Sequence, residues 1–287
     1  MSPEPPFPFI VGVNRSGTTL LRLMLDAHPD LAIPPETHFV PDLIAAANGG
    51  ATAAELADLI VGAPEWGDFG ISADELASAI GGAVGPGDAV RAFHRLYASR
   101  FGKPRFGDKT PAYGRSMTAI AAAVPEAHFI HLIRDGRDVY LSIRDRSPRP
   151  RPPERVAERW RGRILGAREQ AAPHYREFRY EELVRAPEAT LRAICEWISL
   201  RWDPAVLAHA TGAGERLAEM DRALPARGDR AELDAERRME THRRALGPPD
   251  SSRVGRWRRE LGADEAKAFE SVAGDVLGEL GYEVPSR

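Results

Sequence analysis

Residues 9–20 constrain this chain more than any other segment. An apolar run from Phe9 to Val13 overlaps the turn Gly12-Val-Asn-Arg-Ser-Gly17-Thr18-Thr19, which leads into Leu20-Leu-Arg-Leu-Met-Leu25. A strand-length apolar stretch, a glycine-bounded turn and a helix-forming run predict a strand–loop–helix unit. The loop amides and the helix N-terminus would present several N–H donors and a positive dipole end to one anion. The spacing is that of the phosphate loop of nucleotide triphosphatases, G-x-x-x-x-G-K-[ST], with Thr18 in place of the lysine. Without that ammonium, nothing in the loop reaches for the β- and γ-phosphates of a triphosphate. The cation is instead Arg15, inside the turn. The expected cradle is Arg15, Ser16, Gly17, Thr18 and Thr19, holding a phosphate-like group that is not a triphosphate. A tight connection without a ligand is the structural alternative. The hydroxyls of Thr18 and Thr19 and the planar guanidinium of Arg15 weigh against it.

The rest of the chain alternates strand and helix signals. Leu31–Ile33 reads as a short core strand next to the loop strand, ending at Pro34-Pro-Glu-Thr-His-Phe39. Residues 42–100 read as helical, broken at Gly62–Gly70 and Gly81–Gly87. Arg105–Lys109 reads as a strand end closed by Thr110-Pro111. A helix over Ser116–Val124 and an apolar strand over Ala127–Ile133 follow, and the strand runs out at Arg134-Asp-Gly-Arg-Asp138 into a helix through Val139–Arg144. Residues 147–153 are too proline-rich for a helix and make an exposed loop. Pro153–Gln170 is a long helix, Tyr175–Tyr180 a strand and Ala186–Ile198 a helix, while residues 205–250 read as a charged, mobile helical flap. The order predicts an α/β fold: a mainly parallel sheet with helices on both faces, one domain over residues 1–287 with a helical insertion at about 42–100.

A formal net charge of −3 argues against a nucleic-acid partner held by bulk electrostatics. Lys103, Lys109 and Lys267 are the only lysines, which makes Lys109 conspicuous inside Gly-Asp-Lys-Thr-Pro. The single cysteine, Cys195, lies at helical spacing among apolar residues and reads as structural; no metal site is expected. No secretory leader is legible, and no apolar stretch approaches the roughly 18–20 residues that span a bilayer, so a cytoplasmic setting is expected.

The loop Asn14-Arg-Ser-Gly-Thr-Thr-Leu-Leu21, then Pro-Glu-Thr-His-Phe, then His131-Leu-Ile-Arg-Asp-Gly-Arg-Asp-Val-Tyr-Leu-Ser142, resembles the sulfotransferases that use 3′-phosphoadenosine-5′-phosphosulfate (PAPS). The likeness points to the branch containing bacterial and tyrosylprotein sulfotransferases, and its segments run in family order from residue 9 to about 261. It implies PAPS as donor, adenosine 3′,5′-bisphosphate (PAP) as product, and a hydroxyl acceptor. It also implies Arg134 and Ser142, with Arg146 one turn further on, at the 3′-phosphate, and Tyr180 near the adenine nucleotide. Ser252 and Arg256 of Ser251-Ser-Arg-Val-Gly-Arg-Trp257 would reach phosphate with Trp257 packed beneath, although Ser251 and Arg253 fit the pattern as well. The bland alternatives are Arg134 paired with Asp135 or Asp138, and Tyr180 as a core tyrosine.

Sulfuryl transfer needs in-line positioning, cations on the leaving group and a base for the acceptor proton. Arg15, Thr18 and the loop amides address the leaving group. Lys109 resembles the family lysine that helps stabilise its charge, with an ion pair to Asp108 as the alternative. Two candidate bases follow the second strand. Glu36 holds a register similar to the catalytic glutamate of the tyrosylprotein branch, and enclosure would raise its pKa. His38 has the better ordinary pKa. The expected acceptor is a small-molecule, sugar or lipid hydroxyl. The alternatives are a small-molecule phosphotransferase, disfavoured by the missing loop lysine, and a catalytically silent nucleotide-binding module, disfavoured by Glu36 and Lys109 beside an intact loop.

Overall fold

Side chains of the first strand, β1 (Phe7–Gly12), decide where the core divides. Phe7, Phe9 and Val11 point into one apolar cluster and Ile10 into another, as strand alternation requires. The computed structural model describes residues 4–83, 85–146, 149–170, 172–225 and 233–284. Ser147 and Pro148 of the expected loop, and residues 226–232 of the expected flap, lie outside the described residues.

Beyond β1 the chain runs α1 (Thr18–Asp26), β2 (Leu31–Ala32), α2 (Val40–Asn48), α3 (Ala53–Val61), α4 (Ala73–Ile80), α5 (Pro86–Ser99), β3 (Arg105–Phe106) and β4 (Asp108–Lys109). It continues with α6 (Met117–Ala123), β5 (Ala127–Ile133), α7 (Gly136–Arg144), α8 (Pro153–Glu169), β6 (Tyr175–Arg179), α9 (Tyr180–Arg185) and α10 (Pro187–Trp197). The last described helices are α11 (Ala213–Ala218), α12 (Ala235–His242), α13 (Trp257–Glu260) and α14 (Ala263–Glu279). The main sheet is parallel in the order β4-β1-β5-β6, and both of its faces are covered by helices.

Among the described residues the expected helical insertion holds four α-helices, α2 to α5. Two of them start at capping boxes, Thr52 with Glu55 and Ser72 with Glu75, in which each side chain satisfies an end amide of the other's residue. These helices, with α6, cover the Phe7/Phe9/Val11 face; α1, α9 and α10 cover the Ile10/Ile130/Leu132 face. Cys195 is buried in the second cluster, and burial pushes its thiol up to about 11. Tyr180 opens α9 and does not end the strand.

The expected place of the second strand is corrected. β2 does not pair with β1; it joins β3 in a separate two-stranded sheet, Leu31 opposite Arg105 and Ala32 opposite Phe106. The neighbour of β1 on the side away from β5 is β4, with Ile10 opposite Lys109. A break at Gly107 moves the chain from one sheet to the other, so Arg105–Lys109 is two short strands. The C-terminal helix α14 was not anticipated, although Phe269, Ala273, Val276, Leu277 and Leu280 keep one helical face. That face packs with α8 around Trp160 and Ile164.

Candidate active site

The loop between β1 and α1 depends on glycine at both ends. Gly12 has φ 154°, and a Cβ there would lie 2.6 Å from the Leu132 carbonyl oxygen on β5. Gly17 has φ 91°, and its Cβ would meet the Tyr180 ring at 2.4 Å. Arg15 also takes the left-handed region, φ 75°, uncommon for a side chain of this size. That twist turns its carbonyl toward β5, where Arg134 Nη1 donates to it at 3.2 Å.

Arg134, at the end of β5, is 6% exposed and fastened on three sides. Its other terminal nitrogen donates to the Arg253 carbonyl at 3.0 Å, and its guanidinium carbon stands 4.4 Å from the centre of the Tyr180 ring. Neither predicted acidic partner takes it. Asp135 pairs with Arg137 at 2.8 Å, and Asp138 accepts from the amides of Gly255 and Trp257 at 2.7 and 2.9 Å. Asp138 thereby ties the C-terminal segment to α7. Trp257 packs against the guanidinium of Arg137, 3.5 Å from its ring centre.

Ser142 on α7 accepts from Arg15 Nε at 3.3 Å and Arg146 Nη1 at 3.0 Å. Arg15, Arg134, Ser142 and Tyr180 line a cavity of about 400 Å³ that also takes in Gly17, Thr18 and Thr19, whereas Arg146 reaches it only through Ser142 and does not stand on its wall. Arg253 and Arg256 both line it, whereas Ser251 and Ser252 are exposed and off its wall. Arg256 also holds Glu260 and, at 2.8 Å, Asp145. Ser16 is buried beneath the loop, with no hydrogen-bond partner for its Oγ among the described residues. Arg244, which carries no motif, is a further cation on the wall. Burial, then the neighbouring charges of Arg146, Arg134 and Arg244, hold the Arg15 guanidinium down at about 9. Such a cluster is relieved by an anion.

A smaller cavity of about 190 Å³ adjoins the first and shares Arg15, Thr18, Thr19 and His242 with it. Glu36 and His38 line it. Lys109, 1% exposed, donates to Glu36 Oε1 at 2.7 Å, and His38 Nε2 donates to Oε2 at 3.0 Å. Lys109 therefore serves Glu36 and not Asp108. The turn is pinned through Thr37: its hydroxyl donates to Asp108 Oδ2 at 2.7 Å and lies 2.7 Å from the Tyr113 hydroxyl, and its amide donates to Thr110 at 3.0 Å. His94 reaches the same Asp108 oxygen at 3.0 Å. His38 has φ 53°, which directs it back toward Glu36. Burial alone would raise Glu36, as the sequence suggested, but Lys109 and His38 outweigh it and hold the carboxyl well below its ordinary value. Burial likewise opposes charge on His38, yet Glu36 raises it.

His242, missed in the sequence, stands at the end of α12 with Nδ1 3.2 Å from Thr19 Oγ1. Burial, then the nearby charge of Lys109, hold its imidazole at about 3, so it is neutral. The helix is fastened by Arg238, which pairs with buried Asp68 of the helical insertion. No spacing in this charged stretch signals either residue.

The fold and this site define an α/β group-transfer enzyme with a phosphate loop. The sequence profile of the Sulfotransferase family matches residues 6–204, and the chain belongs to this PAPS-dependent family of sulfotransferases. Protein-tyrosine sulfotransferase A of Caenorhabditis elegans is 27% identical over 295 residues, covering 97% of this chain and 67% of the relative. The nodulation protein NoeE of Sinorhizobium fredii is 29% identical over 308 residues, 99% of this chain and 67% of the relative. The solved sulfotransferase domain from the curacin biosynthetic pathway has the same fold, with a TM-score of 0.64 over 99% of this chain and 100% of that one at 22% identity. Among the described residues no helix is long and apolar enough to cross a membrane.

Proposed function

We propose that the larger cavity holds PAPS and that the smaller one admits the hydroxyl of a small-molecule, sugar or glycolipid acceptor, in a cytoplasmic setting. The observation that carries this reading is the shared wall. Arg15, Thr18 and Thr19 belong to both cavities, so groups held on either side meet at the phosphate loop. The residues fit such a donor: Gly17 leaves the loop open beside Tyr180, Arg134 keeps Nε without a partner among the described residues, and burial with the neighbouring arginine charges holds the Arg15 guanidinium down. When bound, PAPS supplies an activated sulfuryl group, whose transfer leaves growing negative charge on a phosphate oxygen.

In this reading Arg134, Ser142 and Arg146 hold the 3′-phosphate, with Tyr180 beside the nucleotide and Arg256 or Arg253 closing over it. Ser16, Thr18 and the loop amides fix the phosphosulfate end, while Arg15 and Lys109 offset the developing charge. Glu36 is the base. Its low pKa keeps it in the proton-accepting form across neutral pH, and His38 orients it. An arginine in place of an acid at the end of β5 weighs against a phosphotransferase.

The test is calorimetry followed by transfer. PAP should bind far better than ATP·Mg, without added metal, and label from radioactive PAPS should appear on a hydroxyl compound of a cell extract. Preference for ATP·Mg would overturn the donor assignment. Because the named relatives include protein-tyrosine sulfotransferases, a tyrosine-bearing polypeptide is the rival acceptor, and label confined to protein would select it.

A further inference from the structure

A third cavity, about 360 Å³, lies on the other side of the phosphate loop, between α7 and the first half of α8. Its size falls within the range of small-ligand sites. The floor is apolar: Val13, Val139, Ile143, Val156 and Trp160. The rim is Arg151, Arg155, Arg159 and Arg163, spaced by four residues, so that all rise on one side of α8 and its lead-in. Like charges at that spacing repel one another. Among the described residues no carboxylate lines the cavity. Among the described residues Arg155 pairs only with exposed Glu158, at 3.2 Å, and no carboxylate pairs with Arg159 or Arg163. Arg163 Nε is buried without a partner among the described residues, and burial, then the charges of Arg115 and Arg159, hold this guanidinium at about 10. Asn14 joins this cavity to the smaller catalytic one, and Arg15 lines all three.

An apolar floor beneath Arg159 and Arg163, which no carboxylate among the described residues pairs with, matches one class of ligand. We infer that this groove binds an amphiphilic anion, an apolar stem lying along Val139, Ile143, Val156 and Trp160 with a phosphate-like or carboxylate head on Arg159 and Arg163. Arginine suits such heads because its fork donates two parallel hydrogen bonds. As the groove opens at Asn14 and Arg15, the anion is part of the acceptor, which then carries its hydroxyl and its acidic head on one molecule. That last step rests on the sulfuryl-transfer reading; the binding itself does not.

The test is titration of the full chain, saturated with PAP, with n-octyl phosphate, n-octanol and inorganic phosphate. Octyl phosphate should bind more tightly than either of the others. The Arg159→Gln/Arg163→Gln double substitution should weaken it at least ~10-fold, because charge-assisted hydrogen bonds to the head are removed, while PAP affinity stays unchanged. Arg159→Gln alone, at an exposed position, should have a smaller effect and guards against a folding artefact. Equal binding by the double variant overturns the site, as does octanol or inorganic phosphate matching octyl phosphate. Displacement by PAP would put the probe in the nucleotide cavity and overturn it too. Failure of PAP to bind would sink the donor assignment, and the octyl phosphate titration would then be read on the unliganded protein.

Discussion

Lys109 Nζ lies 2.7 Å from Glu36 Oε1, although the two residues sit on strands of different sheets or just beyond them. The lysine is 1% exposed and the Glu36 side chain 30%, so the ammonium is sealed beneath a carboxylate that faces the cavity. A buried ammonium requires such a partner, and breaking a buried pair is more costly than never forming it.

Glu36→Gln should leave PAP affinity nearly intact while cutting turnover on the order of 10²–10⁴-fold, the contribution of a positioned base. His38→Ala should cost less, because the histidine only orients the carboxylate. Transfer rates and PAP titrations on both variants check this. The reverse ranking would move the base role to the histidine.

Arg134→Ala should weaken PAP binding by about 2–3 kcal/mol, the worth of a charge-assisted hydrogen bond to the phosphate. The loop should also loosen, since Arg134 holds the Arg15 and Arg253 carbonyls. Calorimetry reads the first effect and amide exchange over residues 13–17 the second. Normal PAP binding would mean that the 3′-phosphate lies elsewhere.

Thr37→Val should destabilise the fold by about 1–3 kcal/mol, because buried Asp108 is deprived of a donor while its other oxygen already has no partner among the described residues. Turnover should fall with it, as the turn carrying Glu36 and His38 slackens. Urea unfolding and kcat, measured together, check the prediction; a lower kcat with unchanged stability would contradict the anchoring role.

The Glu36 cluster should leave a signature in stability against pH. Glu36 is depressed, so its contribution is complete above the ordinary value of 4.5 and is lost as pH falls through the lowered one. His38 is raised, so its contribution is complete below the ordinary value of 6.5 and is lost as pH rises through the raised one. The Tm difference between the native chain and Glu36→Gln should therefore be largest between pH 4.5 and 6.5 and shrink on either side. A difference that stays flat well beyond both ends of this range would show that the pair does not titrate as a unit.

Local patterns in the sequence carried the elements that depend on near neighbours. The strand Ala127–Ile133 and the helix from Pro153 were legible because burial on both faces and helical period are written in consecutive residues. The glycine frame of the loop was legible for the same reason, since Gly12 and Gly17 answer to backbone geometry within a few residues.

Relations that cross the chain were decided only by the tertiary structure. Nothing adjacent to residue 36 or 109 says that these side chains meet; that follows from the break at Gly107, which passes the chain from the β2–β3 sheet to the edge of β1. The low pKa of Glu36 follows from the same step, because burial and the Lys109 charge push in opposite directions and only a 2.7 Å approach lets the charge prevail. His242 and Arg244 are invisible in a run of charges until α12 is fastened by Arg238 to Asp68, which carries them over the loop. Sequence by itself determined which backbone could cradle an anion, because that is set by local sterics. Which side chains surround that loop was left to packing, because their charges act through space and not along the chain.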